Sequence, residues 1–364
     1  MLSAVDVASV PDGPRLWQEI VEESPLAWFW HTRALFLYNL FAGDSAEAKD
    51  QSFFIYRDGE VVGLVPFIIQ NVTLGAFTGR EANSHSGMLP WPLTRPHEER
   101  LHGVECEDFA FVEVERRARA AGAARIVFLL SPPHSIGQED ARIERAAYAH
   151  KYVCSQSKQH SIAIDQGTLA NVRERYRRYY DKFSPLFSFE IIDKDSLTEE
   201  LEETYFRLHI KDAGGRFRSR ESYTRQADLI REGLAVYVLA RHKESGAAAG
   251  MLYLLLYKGA AFDGSVAVDP DLEQYRVGHL LRFRAIEELL ARDIATYDSP
   301  LRTGAPAFRM LPTPKERSIS HFKEGFFRGK SRDLWILEKY LDPALLHAYV
   351  MQKESALKTY FGLS

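Results

Sequence analysis

The stretch AAFDGSVAVDPDLEQYRVGHLLRFRAIEELLARDIATYDSP, residues 260–300, decides how the rest of the chain is read. Ala261 to Val268 alternates as a strand, and Asp269-Pro270 stops it, because proline has no N–H to give a ladder. From Val277 to Arg292 the period changes. Leu280, Leu281, Ile286, Leu289 and Leu290 recur at helical spacing, with Arg284–Glu288 and Glu288–Arg292 four apart on the outer face. Ile294 to Tyr297 is again a strand. A strand that runs through a short loop into a helix puts unsatisfied N–H groups and the positive end of the helix dipole beside that loop, a setting that suits a pyrophosphate.

Upstream, Leu234–Ala240 and Ala248–Tyr257 form a hairpin around Lys243-Glu-Ser-Gly246. The first half has the same order. Phe53–Tyr56 and Val61–Ile69 flank an Asp58-Gly59 turn, with Pro66 at a bulge or an edge. Cys106–Ala121 then reads as a helix, and Ala124–Leu130 as a buried strand ending at Pro132. Between hairpin and helix lies 83–96, a Gly/Ser/Pro-rich loop with His85 and Trp91, read as a binding loop or a stiff connector. Hairpin, helix and strand occurring twice predict an α/β chain of the α+β kind, two tandem units, each a mixed and mostly antiparallel sheet flanked by helices. The expected boundaries are 1–155 and 156–340, followed by a C-terminal helix over 341–364. The aromatic cluster Trp28, Phe29, Trp30, Phe36 and Tyr38 reads as core.

Composition narrows the function. A chain of 364 residues with 46% hydrophobic and 26% charged residues is globular, and too long for one ordinary core. No run approaches the ~18 apolar residues of a membrane span. The N-terminus MLSAVDVASVPDGPRLWQE lacks the basic and apolar regions of a signal peptide, so a cytoplasmic protein is expected. Two cysteines, Cys106 and Cys154, form neither a disulfide framework nor a zinc site, and no metal is expected. A net charge of −4 provides no general attraction to DNA. No Walker loop, H-E-x-x-H or Ser-His-Asp setting supports an NTPase, metallopeptidase or hydrolase.

The segment joining the copies differs in character. Ser161–Asp165 alternates as a strand, and Gln166–Tyr180 reads as a helix in which Arg173, Arg175, Arg177 and Arg178 interleave with Tyr176, Tyr179 and Tyr180. It is either a solvated helix resting its rings on the core or a patch facing the phosphates of a nucleotide, coenzyme A or tRNA. A helix over Glu199–Ile210 leads to Lys211–Arg220, a basic loop with Gly214 and Gly215 as hinges, suited to closing over an anionic donor.

Gln274-Tyr-Arg276-Val277-Gly278-His279-Leu280 resembles the loop with which the GNAT acyltransferase superfamily cradles the pyrophosphate of coenzyme A, with one glycine, offset from the usual position. Combined with Ile319-Ser-His-Phe322-Lys323-Glu-Gly325-Phe-Phe327, the chain resembles the FemAB family of tandem-GNAT transferases and the related BioF2-like acetyltransferases. The resemblance implies two GNAT-like units and no tightly bound cofactor. The co-substrate would be acyl-CoA or aminoacyl-tRNA, with transfer to an amine of a small molecule, a sugar or a cell-wall precursor. Gln274 through Leu280 would bind the donor, Phe322 and Lys323 would stand at the reacting centre, and Tyr253, Tyr257 and Asp298 would face substrate. Arg175, Arg177 and Arg178 would meet tRNA. Asp263, His279 and His321 are the candidate general bases by position. The loop 299–318 is longer than the Gly-rich connection of the Fem enzymes, and there is no coiled-coil arm. A non-catalytic binding or scaffold protein is the alternative.

Overall fold

The computed structural model describes residues 1–42, 48–74, 77–83, 89–130, 139–215, 218–301 and 314–361. The chain divides into two compact units: Met1–Ser157 together with Leu334–Ser364, and Lys158–Asp333.

The first unit runs β1 (Leu2–Asp6), α1 (Gly13–Glu23), α2 (Arg33–Ala42), β2 (Lys49–Asp50), β3 (Phe53–Arg57), β4 (Glu60–Val65), β5 (Ile68–Leu74), β6 (Phe77–Ala82), β7 (Leu89–Pro90), β8 (Leu93–Thr94), α3 (Pro96–Ala120), β9 (Ala123–Leu130) and α4 (Glu139–Tyr148). Strands β1, β3, β4 and β8 form one antiparallel sheet. Pro66 separates β4 from β5, so the run Val61–Ile69 is two strands in different sheets rather than one arm of a hairpin. In the other sheet, β5 and β2 are antiparallel, β5 and β6 are antiparallel, and β6 lies parallel to β9, with β7 also beside β9. The short strands β7 and β8 correct the reading of 83–96 as a loop throughout. Trp91 lies between them with 0% exposure and donates its indole N–H to Glu107 at 2.9 Å, so it is core and not the tip of a binding loop. His85 lies outside the described residues.

The last strand and helix, β16 (Ser331–Tyr340) and α10 (Pro343–Phe361), return to this first unit. Expected instead was a second domain reaching residue 340 with a separate tail. The cause is the pairing of β16 with β9, antiparallel from Trp335↔Leu130 to Tyr340↔Arg125, reinforced by Arg125 held between Glu81 (2.8 Å) and Glu338 (3.0 Å).

The second unit continues with β10 (Val153–Ala163), α5 (Glu174–Phe183), β11 (Phe187–Ile192), α6 (Glu199–Ala213), α7 (Arg220–Arg231), β12 (Ala235–His242), β13 (Ala248–Tyr257), β14 (Ala260–Val268), α8 (Val277–Ala291), β15 (Thr296–Leu301) and α9 (Pro314–Phe327). Strands β11 to β14 are antiparallel, β14 and β15 are parallel, and β15 pairs antiparallel with β10. Both units therefore hold mixed, mostly antiparallel sheets, and both repeat hairpin, helix and parallel strand: β5-β6-α3-β9 in the first, β13-β14-α8-β15 in the second. The apolar side of α8, including Val277, Leu280, Leu281, Ile286 and Leu289, is buried in the core. Arg292 pairs with Glu288 as expected, whereas Arg284 pairs with Glu287.

The helix expected from Gln166 begins only at Glu174. Before it, Asp165 Oδ1 accepts from the Gly167 N–H (2.8 Å) and from Thr168 Oγ (3.1 Å), a local turn that competes with helix. The α5 ring of Tyr176 packs against Gly325 of α9, where a Cβ would stand 1.9 Å from Tyr176 Cε2. That ring is itself held by His279 (centroids 4.4 Å apart) and Phe326 (5.2 Å), so it has little freedom to move. Gly325→Ala is expected to cost about 1–3 kcal/mol and to lower Tm by several degrees in a thermal melt. An unchanged Tm would mean that the cluster yields.

No helix among the described residues is long and apolar enough to cross a membrane.

Candidate active site

Strands β14 and β15 pair at only three positions, Ala260↔Thr296, Ala261↔Tyr297 and Phe262↔Asp298. From Asp263 onward β14 pairs with β13 alone among the described residues, so its other edge offers unused N–H and C=O groups. The parting coincides with a bulge, where the register with β13 slips between Tyr253↔Ser265 and Leu254↔Asp263. Gly264 permits it: a Cβ there would lie 2.8 Å from the Tyr253 ring. Its effect is to aim Asp263 at α8.

Asp263, 2% exposed, accepts from Arg282 Nη2 at 2.9 Å and from Ser299 Oγ at 3.0 Å. Burial pushes its carboxyl up, but Arg282, Lys323 and these hydrogen bonds outweigh burial and hold it below the usual range. Lys323 lies within α9, 8% exposed, and burial lowers its ammonium to about 8, with Asp263 opposing the shift and Arg282 adding to it. The Arg282 guanidinium stands 4.7 Å over the ring of Phe322. The Tyr297 hydroxyl, fully buried beside Asp263 and Arg282, is pushed well above its ordinary range by burial first, so it stays a donor. Five side chains from four elements thus meet: Asp263, Arg282, Tyr297, Ser299 and Lys323, with Phe322 as their lid.

The start of α8 is the second feature. Arg276 sits at its N-cap in the left-handed region, φ 55°, after the 3-10 turn Pro270–Tyr275. The His279 N–H bonds back to the Arg276 carbonyl (2.8 Å), while those of Val277 and Gly278 meet no acceptor among the described residues. Gln274 and Arg276 are exposed, and Val277 and Leu280 are core. At Gly278 an added Cβ would meet only Val268 Cγ2, at 3.7 Å, so a side chain would fit. Lys211 at the end of α6 pairs with Asp269 (2.6 Å) and Asp271 (2.7 Å), tying the base of the basic loop to this turn. The next part of that loop, 216–217, lies outside the described residues, as does 302–313 of the long loop, which ends where α9 begins at Pro314.

The other expected site residues fall elsewhere. His279 is wedged edge-on against Tyr176, Tyr179 and Phe322, and burial with Arg282 and Arg276 lowers its imidazole to about 3, too weak a base to take a proton near neutrality. His321 is exposed, 3.2 Å from Arg173. Asp298 alternates to the opposite side of β15 from Tyr297 and is bound by Arg332 at 2.5 Å. Tyr253 is core, donating to the Gln226 carbonyl at 3.2 Å. Tyr257 lies at the far end of β13, opposite Ala260, with Lys258 over its ring. On α5, Arg175, Arg177 and Arg178 are all exposed; Arg175 bonds the Tyr179 hydroxyl and Arg178 reaches Glu174 at 3.9 Å. Arg282, Ser299 and Tyr297 were not singled out. The signal for Arg282 was present: a charge between Leu281 and Phe283 on an apolar helix demands a buried carboxylate.

The Acetyltransferase (GNAT) domain family matches residues 168–307, most of the second unit. The second unit is a GNAT acyltransferase domain. In this GNAT unit the parted strands and the exposed start of α8 fall within the matched residues, and α9 with Lys323 follows them. Across the whole chain the fold is that of tandem GNAT proteins. The crystal structure of FemX superposes with a TM-score of 0.60 at 11% identity, covering 92% of this chain and 97% of that one. A tandem GNAT protein from the clavulanic acid biosynthesis pathway gives 0.54 at 16%, covering 94% and 99%. L-PGS from Bacillus licheniformis gives 0.56 at 11%, covering 97% and 98%. Among curated proteins none matches the sequence.

Proposed function

We propose that the GNAT unit transfers an acyl or aminoacyl group from acyl-CoA or aminoacyl-tRNA to an amine of a small molecule, a sugar or a cell-envelope precursor, in the cytoplasm. The observation that carries this reading is the parting of β14 and β15 at Asp263, with Lys323 buried at the parting and the free N–H groups of α8 beyond it. A donor lying along the free edge of β14 would place phosphates at Arg276–Leu280 and its carbonyl near Lys323.

The amine nitrogen attacks that carbonyl carbon, the oxygen becomes an oxyanion, and the C–S or ester C–O bond breaks as a proton passes to the leaving thiol or hydroxyl. The Lys323 charge stabilises the oxyanion in a dry site, where it acts most strongly. Asp263 accepts from Arg282 and Ser299 through the same oxygen, Oδ2, and its carboxyl is held below the usual range, so it positions Arg282 and Lys323 rather than taking the proton. Ground-state binding by Arg175, Arg177 and Arg178 would favour the tRNA donor, since their heads stand in solvent on one short helix.

Two measurements separate the donors. Coenzyme A at about 100 times its Kd should stabilise the protein by about 2.7 kcal/mol and raise Tm; a flat response at millimolar ligand counts against the thioester and leaves room for a scaffold role. If tRNA is the donor, replacing Arg175, Arg177 and Arg178 by Ala should flatten the slope of log affinity against log salt by about 2 to 3. An unchanged slope returns α5 to a solvated helix.

A further inference from the structure

The GNAT unit encloses an unmatched positive charge. Arg282, Lys323 and Asp263 are 2%, 8% and 2% exposed, two cations against one carboxylate. Among the described residues, Asp263 and Arg282 are the charged groups that act on Lys323. Burying a charge without a partner is strongly unfavourable, so a resident anion is expected.

Hydrogen-bond donors are left over at the same place. Arg282 commits Nη2 to Asp263 and Nη1 to the Gly278 carbonyl, and its buried Nε has no partner among the described residues. The Tyr297 hydroxyl, at 0% exposure, has none among them either. Lys323 makes no side-chain hydrogen bond to a described residue. Each unmet buried donor is costly, and here they stand together around one carboxylate.

The geometry points to a binding site for a substrate carboxylate, held by Lys323, Arg282 Nε and the Tyr297 hydroxyl. A carboxylate brings one negative charge and two oxygens, which cancels the surplus and occupies the free donors. A phosphate dianion would leave the pocket negative. Lys323 has three hydrogens, enough to hold a carboxylate and still present one to the carbonyl oxygen of the donor. Resting on the transferase reading, this narrows its substrate: the molecule at the reacting centre carries a carboxylate close to its amine, as an amino acid does.

The test is calorimetric titration of the full chain with N-acetylglycine, its neutral isostere N-acetylglycinamide, and inorganic phosphate, with no acyl donor present. N-acetylglycine is expected to bind at one site, with the amide and phosphate weaker by about tenfold or more. Lys323→Met and the near-isosteric Tyr297→Phe should each weaken N-acetylglycine by about tenfold. Equal binding of acid and amide, tighter binding of phosphate, or no loss in either variant overturns the site. Carboxylate binding in a protein that transfers from neither donor would sink the transferase reading and leave this site standing. Transfer with no preference for the acid would do the reverse.

Discussion

Lys323→Met is expected to abolish transfer while leaving the protein as stable as before, or more so. The lysine ammonium titrates near 10.4 in an unfolded chain and at about 8 in the fold, where burial penalises the charge. Between those values the unfolded chain binds more protons, so this group makes stability rise with pH from about 8 toward 10.4. Below that window the fold carries a buried charge at a cost of order 3 kcal/mol. Methionine fills similar volume without the charge, so its melt should lose this rise. Activity runs the other way: the charged form is the one that stabilises an oxyanion, so kcat should fall as pH climbs through about 8. Full activity in Lys323→Met would remove the lysine from the reacting centre.

Asp263→Asn should be the most damaging single change to stability. It leaves Arg282 and Lys323 buried without a counter-charge, and breaking a buried pair from one side costs about 3 to 5 kcal/mol. The double variant Asp263→Asn/Lys323→Met keeps only one of the two cations. It should therefore recover part of the loss, with a coupling of at least about 1 kcal/mol in a denaturant cycle. A cost below about 1 kcal/mol for Asp263→Asn would mean that water reaches the cluster.

The elements around residues 234–297 were legible because their periods are clean: β12, β13, β14 and α8 start and stop within two residues of where Leu234, Ala248, Ala261 and Val277 place them. Short or doubly buried elements were not. β7 and β8 are two residues each, and the region 83–96 has turn composition although its Trp91 is core. α7 and β11 carry no strong pattern, and β16 joins the first unit through a pairing with β9 some two hundred residues away in sequence, which no local signal records.

For the candidate site, position along the chain nominated Asp263 and the family resemblance nominated Lys323, but neither showed that the two lie close enough to act on each other. That arrangement depends on the Gly264 bulge, which turns the Asp263 carboxylate from the strand toward Arg282 of α8. Asp298 shows the opposite case. One residue after Tyr297, it alternates away from the cluster toward Arg332, although its place at the strand end looked equally favourable. Similarly, His279 in sequence is a titratable group at a helix start, and only its aromatic surroundings turn it into packing.

The most direct measurement is label transfer from acetyl-CoA and from a pool of charged tRNA, run side by side on a panel of amines, with the unmodified chain and with Lys323→Met. Transfer by the unmodified chain from one of the two donors, lost in the variant while its fold persists, is the expected result. Transfer that survives unchanged in Lys323→Met would contradict a reacting centre at the parting of β14 and β15.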